Sequence, residues 1–247
     1  MQPIKRMLAV LCLFAGILYA QGPSIQGLEN VKISAQWFLS YQNGKDHGDP
    51  YNAFLLKRGY LNVGTKLGDR LSTRLTTDVS VDEEGDGRGD IELRIKYCYL
   101  RYKFEPIGLL NKPFVEFGVA HRPWLDYEQS INAYRVQGTM FLERAGILNS
   151  AGYGITFMAL LGETLPASYQ ERVDSKYPGR WGSFAVGVYN GGGYHAIEEN
   201  ENKTVESRLS LRPLPDLIPG LQFSYHGAYG RGNTPDAPKW ELNSGFA

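Results

Sequence analysis

Cysteine is almost missing. Cys12 and Cys98 are the only two in 247 residues, and Cys12 falls in a stretch that reads as a removable leader, so no disulfide framework is available. Beyond residue 20 no apolar run approaches the roughly 20 residues of a membrane helix. An excess of one charge sign is missing too. The 26 Lys and Arg residues balance 26 Asp and Glu. Without Lys5 and Arg6 the count is 24 against 26, a net of −2. A general nucleic-acid binder carries a strong basic excess, so that class is excluded. The four histidines, His47, His121, His195 and His226, are scattered and lack zinc spacing. Gly191-Gly192-Gly193 lacks the Gly-Lys-Ser/Thr ending of a phosphate loop. No cofactor and no metal is called for. At 43% hydrophobic and 21% charged residues, the chain is too apolar to be disordered.

Glycine, tyrosine and phenylalanine are abundant, at 29, 16 and 11 residues, a lean toward turns and strands. Residues 1–20 have the layout of a secretory signal. Lys5-Arg6 is the positive start, MLAVLCLFAGIL the apolar stretch, and Leu18-Tyr19-Ala20 the cleavage site. The mature region, residues 21–247, is expected to be one exported domain. The surviving route across a membrane is a closed barrel of strands.

Two-residue periodicity supports that route. Val31, Ile33, Ala35, Trp37, Leu39 and Tyr41 alternate with polar residues, interrupted only by Phe38. Leu71, Thr73, Leu75, Thr77, Val79 and Val81 alternate with Ser72, Arg74, Thr76, Asp78 and Ser80. Such a pattern gives one dry and one wet face. Ala53–Leu67 alternates likewise and leaves Lys57 on the apolar side. Ile91–Phe104 starts in phase and slips near Tyr99, as a bulge would make it do. Further strands are predicted over Phe114–Ala120, Gly154–Leu161, Ser183–Asn190, Thr204–Arg212 and Leu221–Gly230. About nine strands result, and the only helical signal is a turn around Ser130–Tyr134. Strands of a soluble sandwich average about 5–6 residues. Leu71–Val81, at about 3.3 Å per residue and tilted by about 45°, spans roughly 25 Å, the apolar band of an outer-membrane barrel. The tight Gly68-Asp69-Arg70 connection alternates with the longer polar ones at Asn43–Asn52 and Asp82–Asp90, as periplasmic turns alternate with outer loops.

The runs FLLKRGYLNVGTKLGDRLSTRLTTDVS, DIELRIKYCYLRYKF, VEFGVAHRPWLDYE and YRVQGTMFLER resemble a Gram-negative outer-membrane porin of the phosphate-selective porin O/P-like family. The resemblance covers most of Val31–Arg231. It implies an all-β fold, a transmembrane antiparallel β-barrel of roughly sixteen strands, assembled as a homotrimer in outer-membrane lipid and lipopolysaccharide. It implies passive diffusion of small hydrophilic or anionic solutes. About nine strands make an incomplete barrel, so the chain reads as the N-terminal part of such a porin.

Parity assigns the channel-lining side chains. Lys32, Arg58, Lys66, Arg74, Arg94, Lys96, Arg208 and Arg212 oppose Asp78, Glu92, Glu116 and Glu206. Eight cations against four anions predict an anion-focusing lumen, because low-dielectric walls concentrate the field. Charges that simply face water and pair across strands are the plainer alternative. The segment His121–Tyr153 is long for a connection. It carries Trp124, Asp126, Glu128, Tyr134, Arg135 and Arg144. The resemblance places it as the loop that narrows the lumen; two short strands, with Val136–Leu142 as one, are the alternative. Tyr97, Tyr99, Tyr102 and Phe104 suit an interface girdle. DEEGDGRGD at Asp82–Asp90 reads as a solvated loop rather than a calcium loop, since Leu93 stands where a bidentate Glu is needed. A secreted β-sandwich that binds carbohydrate, and an outer-membrane hydrolase using His121, Asp126 and Ser130, are the competing readings. No nucleophile-elbow pattern surrounds Ser130, and an enzyme is not expected.

Overall fold

A computed structural model describes residues 29–247, apart from Glu84 and the side chain of Asp46. The predicted leader at residues 1–20 lies outside the described residues, as does Glu84 of the acidic loop. The fold is all-β. Ten antiparallel strands form one sheet in sequence order: β1 (Val31–Asp46), β2 (Asp49–Lys66), β3 (Leu71–Val81), β4 (Ile91–Lys103), β5 (Leu110–His121), β6 (Ala151–Leu161), β7 (Gly182–Tyr189), β8 (Thr204–Leu211), β9 (Phe223–Arg231) and β10 (Lys239–Phe246). Each strand pairs only with its chain neighbours, and β1 and β10 do not pair with each other. The strands form one sheet, not the two facing sheets of a sandwich. Three short helices interrupt it: α1 (Pro123–Ile131), α2 (Phe141–Arg144) and α3 (Ala167–Arg172).

Several expectations need correcting. There are ten strands, not nine. The polar stretch after Asn233 ends in β10, whose inner positions Trp240 and Leu242 pack on the core. Asn43–Asn52 is not a loop. Both strands run through it to a two-residue turn at His47-Gly48, where φ is +47° and +101°; that handedness matches the twist of a hairpin. The phase slip in β4 lies one turn of the pleat earlier than Tyr99. The register shifts between Thr76 and Thr77, which face Tyr97 and Ile95, so Lys96 is the extra residue. Tyr97 and Tyr99 are therefore buried on the inner face and Cys98 is exposed, while Tyr102 and Phe104 remain outside in edge contact at 5.0 Å. A second irregularity between Phe38 and Leu39 skips Lys57. Its ammonium turns inward and donates to the Gln137 carbonyl at 2.6 Å.

The two faces of the sheet differ in kind. On the outer face Ile33, Leu61, Leu93, Phe117, Ile155 and Leu209 are all exposed. On the inner face Arg208, Glu206 and His226 have no exposure at all. Strands lie about 4.8 Å apart, so β2 and β10, eight strands apart, would be about 38 Å from one another in a flat sheet. Residues 122–150 nevertheless touch both: Arg58 of β2 donates to Gly138, and Trp124 stacks on Phe246 of β10 at 3.9 Å. The sheet must therefore curl around this segment. No helix among the described residues is long and apolar enough to cross a membrane.

Candidate functional site

The inserted segment is held at its base by glycine and tyrosine chemistry. Gly152, Gly154 and Gly187 leave room for Tyr189 to lie flat on the inner face; a Cβ at Gly187 would meet its hydroxyl at 2.2 Å. That hydroxyl bonds Thr156 Oγ1 at 2.6 Å and donates to the His121 carbonyl at 3.1 Å. The chain leaves β5 there and enters α1 through Pro123, at the first turn where its missing N–H costs nothing. The predicted turn at Ser130–Tyr134 is thus a helix displaced toward the N-terminus. Residues 136–142 form no strand.

Trp124, Leu125, Tyr127, Met140, Leu142 and Leu148 form one buried cluster with Met158, Leu160, Tyr177 and Ala185. The segment packs as a core under β6, β7 and β10. Within it, Asp126 is buried and bonded by Lys176 and Tyr177, with His121 Nε2 3.6 Å away. Burial would push the Asp126 carboxyl up, but His121, Lys176 and the Tyr177 hydroxyl outweigh it and hold the group well below the usual carboxylate range. Glu143 follows the same logic. Burial opposes ionisation, while Lys96 at 3.7 Å and bonds from Thr139 and Ser150 depress it. Burial beside Asp126 pushes the Tyr177 phenol well up.

The inner-face charges sort into paired and unpaired sets. Arg122 bonds Glu206, with Nε at 2.6 Å. Arg101 bonds Glu116, which also accepts from His121 Nδ1 at 2.9 Å. Arg94 lies 4.0 Å from Asp78. Arg58, Arg74, Arg135, Arg208 and Arg212 have no carboxylate partner among the described residues. They are held by neutral acceptors and rings instead. Arg58 donates to the carbonyls of Arg135 and Gly138 and lies 4.1 Å from the Phe38 ring. Arg135 covers the same ring at 5.5 Å and donates to the Tyr60 hydroxyl at 3.3 Å. Arg74 reaches Asn62 at 2.7 Å and sits over Tyr97. Arg208 donates to Pro123 and Ser183 and lies between Tyr127 and Tyr177. Arg212 donates to the Gly179 and Pro219 carbonyls. Ring faces and neutral acceptors offset part of the desolvation of these buried guanidiniums, which is how a face without matching carboxylates carries them.

The structure brings together Arg58, Arg74, Lys96, Asp78 and Arg135 on the β2–β4 flank, and Arg208 with Arg212 on β8. Lys32 and Lys66 stand apart, exposed near strand ends. Of the predicted narrowing residues, Arg135 joins the basic cluster. Tyr134 is exposed. Trp124 and Glu128 are structural, with the indole donating to Glu128 at 2.9 Å and the Phe141 amide doing the same at 2.7 Å. Of the residues of the hydrolase reading, His121 Nε2 lies 3.6 Å from Asp126, while the Ser130 hydroxyl donates to the Tyr127 carbonyl. Sequence reasoning missed Phe38, the break in the alternation, which is buried edge-on to Tyr60 at 5.8 Å and forms the shelf for two guanidiniums. The break itself was the available signal. It also missed Lys176, which bonds Asp126, and Asp174, which accepts from the Lys176 and Tyr177 amides; no periodicity marks either.

These features define an all-β protein in which one curled antiparallel sheet keeps its charges inside and its exposed apolar side chains outside. No protein-family model matches the chain, and no curated protein or solved structure matches it either.

Proposed function

We propose that this chain forms wall and constriction of an outer-membrane channel through which small hydrophilic solutes, anions preferred, diffuse down their gradients. The single observation that carries the reading is the inversion of the two faces. Large apolar side chains stand exposed along the outer face from β1 to β9, while Arg, Glu and His are buried inside. A sheet in water hides the first and exposes the second; a sheet in lipid does the opposite. The edges of β1 and β10 cannot remain unpaired in hydrocarbon, so the reading requires that both be paired in the membrane. Solutes pass along the β1–β4 flank, where Lys32, Ser34 and Gln36 face water and Arg58, Arg74 and Arg135 set a positive field. The outer surface contacts lipid and lipopolysaccharide.

Planar-bilayer recordings of the full-length protein under a salt gradient test this. Anion preference is expected, and it falls when Arg58, Arg74 and Arg135 are changed to Gln. Cation preference, or no change in the triple variant, overturns the proposal. Deleting the inserted segment is a poor test, because it removes much of the core.

A further inference from the structure

Under the β4–β5 turn lies a cavity of about 350 Å³, lined in part by Met158 and Leu160, which also pack with the inserted segment. Its floor is apolar, built from Phe114, Met158 and Leu160. Its polar lining is entirely cationic: Arg101, Lys103, Lys112 and Lys176, with no acidic side chain among the lining residues. Two of these are already engaged, Arg101 by Glu116 and Lys176 by Asp126. Lys103 and Lys112 are exposed and have no ion-pair partner among the described residues. Lys112 is fixed beside the cavity by the irregularity that shifts the β5 register between Asn111 and Phe114, where its φ is +48°.

Apolar floor and cationic rim select a ligand with one greasy and one anionic end. The volume lies at the lower limit of small-molecule sites, about 300–1,000 Å³. A flat ring suits the floor, since one face of Phe114 is covered by Arg101 at 4.3 Å and the Met158 thioether favours an aromatic edge. We infer that this cavity binds an aromatic carboxylate, its ring against Phe114 and Met158 and its carboxylate between Lys103 and Lys112. The site stands whether or not the chain conducts, because its lining comes from β4–β6 and from Lys176 in the β6–β7 connection.

The test titrates 2-naphthoate and its neutral analogue 2-naphthylmethanol into the full-length protein, with empty detergent micelles as the blank. Two solvent-exposed charge contacts are expected to favour the acid by about tenfold. In the Lys103→Gln/Lys112→Gln variant that preference disappears while the alcohol binds as before. Both lysines are exposed, so the variant keeps its core. Equal affinity for acid and alcohol in the unaltered protein, absence of saturable binding, or undiminished naphthoate affinity in the double variant overturns the inference.

Discussion

The two flanks of the sheet use the same inner face in opposite ways. On β1–β4 it stays polar and partly open, and its guanidiniums lean on Phe38, Tyr60 and Tyr97 without carboxylate partners. On β6–β10 it is closed over by α1 and α2, and Arg122 is matched to Glu206 with neither exposed. Guanidiniums without carboxylates occur on both flanks: Arg58 and Arg74 are half-buried, whereas Arg208 and Arg212 are fully buried and are held by carbonyls, hydroxyls and rings. The closed flank adds the fully buried Arg122–Glu206 pair, since an unmatched buried ion costs several kcal/mol. On the proposed reading, the first flank serves the passage of solutes and the second serves stability.

The sharpest way to break this contrast is to unpair the closed flank. Arg122→Met leaves Glu206 buried without its partner and should destabilise the protein by about 3–5 kcal/mol in denaturant unfolding. Arg58→Met, on the open flank, should cost about 1–2 kcal/mol, since it strands carbonyls rather than a charge. Equal losses would erase the distinction between flanks. Truncating the core of the inserted segment ranks next. Leu125→Ala removes a fully buried side chain and should cost about 2–5 kcal/mol, while Lys32→Gln at the exposed start of β1 should stay within about 0.5 kcal/mol.

Acid sharpens the comparison further. Asp126 and Glu143 are both held below their ordinary values, so their contribution is present in full above the unfolded carboxylate range and is lost as pH falls through the depressed folded values. Unfolding midpoints should therefore drop from about pH 4 downward, and Asp126→Asn should flatten that acid limb while weakening the protein at neutral pH. An unaltered acid limb in the variant would remove Asp126 from the account. A smaller effect than that of Arg122 concerns Phe38. Phe38→Leu keeps the volume buried but removes the ring beneath Arg58 and Arg135, with an expected loss of about 0.5–2 kcal/mol.

How much of this was legible in the sequence depended on what alternation can encode. β3, β8 and the part of β2 from Arg58 onward have one dry and one wet face, and their side chains lie where parity put them. Arg208 and Arg212 are inward, and Leu209 and Leu211 outward. Parity failed wherever a residue was added to one strand only. The extra Lys96 reversed Tyr97, Tyr99 and Cys98, and the extra Lys57 turned a supposed outward lysine inward. The tips of β1 and β2 were hidden because neither face there is apolar. The helix α1 was hidden because Trp124, Leu125, Asp126 and Tyr127 are all buried, so no amphipathic stripe exists to be read. The basic cluster was half visible. Its β2 and β3 members followed from parity, whereas Arg135 reaches it through a long-range contact that only the curl of the sheet creates.

The central claim is that neighbouring residues of one strand face lipid and water. Leu93 and Arg94 on β4 test it most directly, since both are exposed and on opposite faces. Nitroxide labels placed singly at each position in the membrane-reconstituted protein should differ sharply. At residue 93, collisions with dissolved oxygen should dominate; at residue 94, collisions with a water-soluble nickel chelate. Matching accessibilities at the two positions, or nickel access at both, would contradict the account.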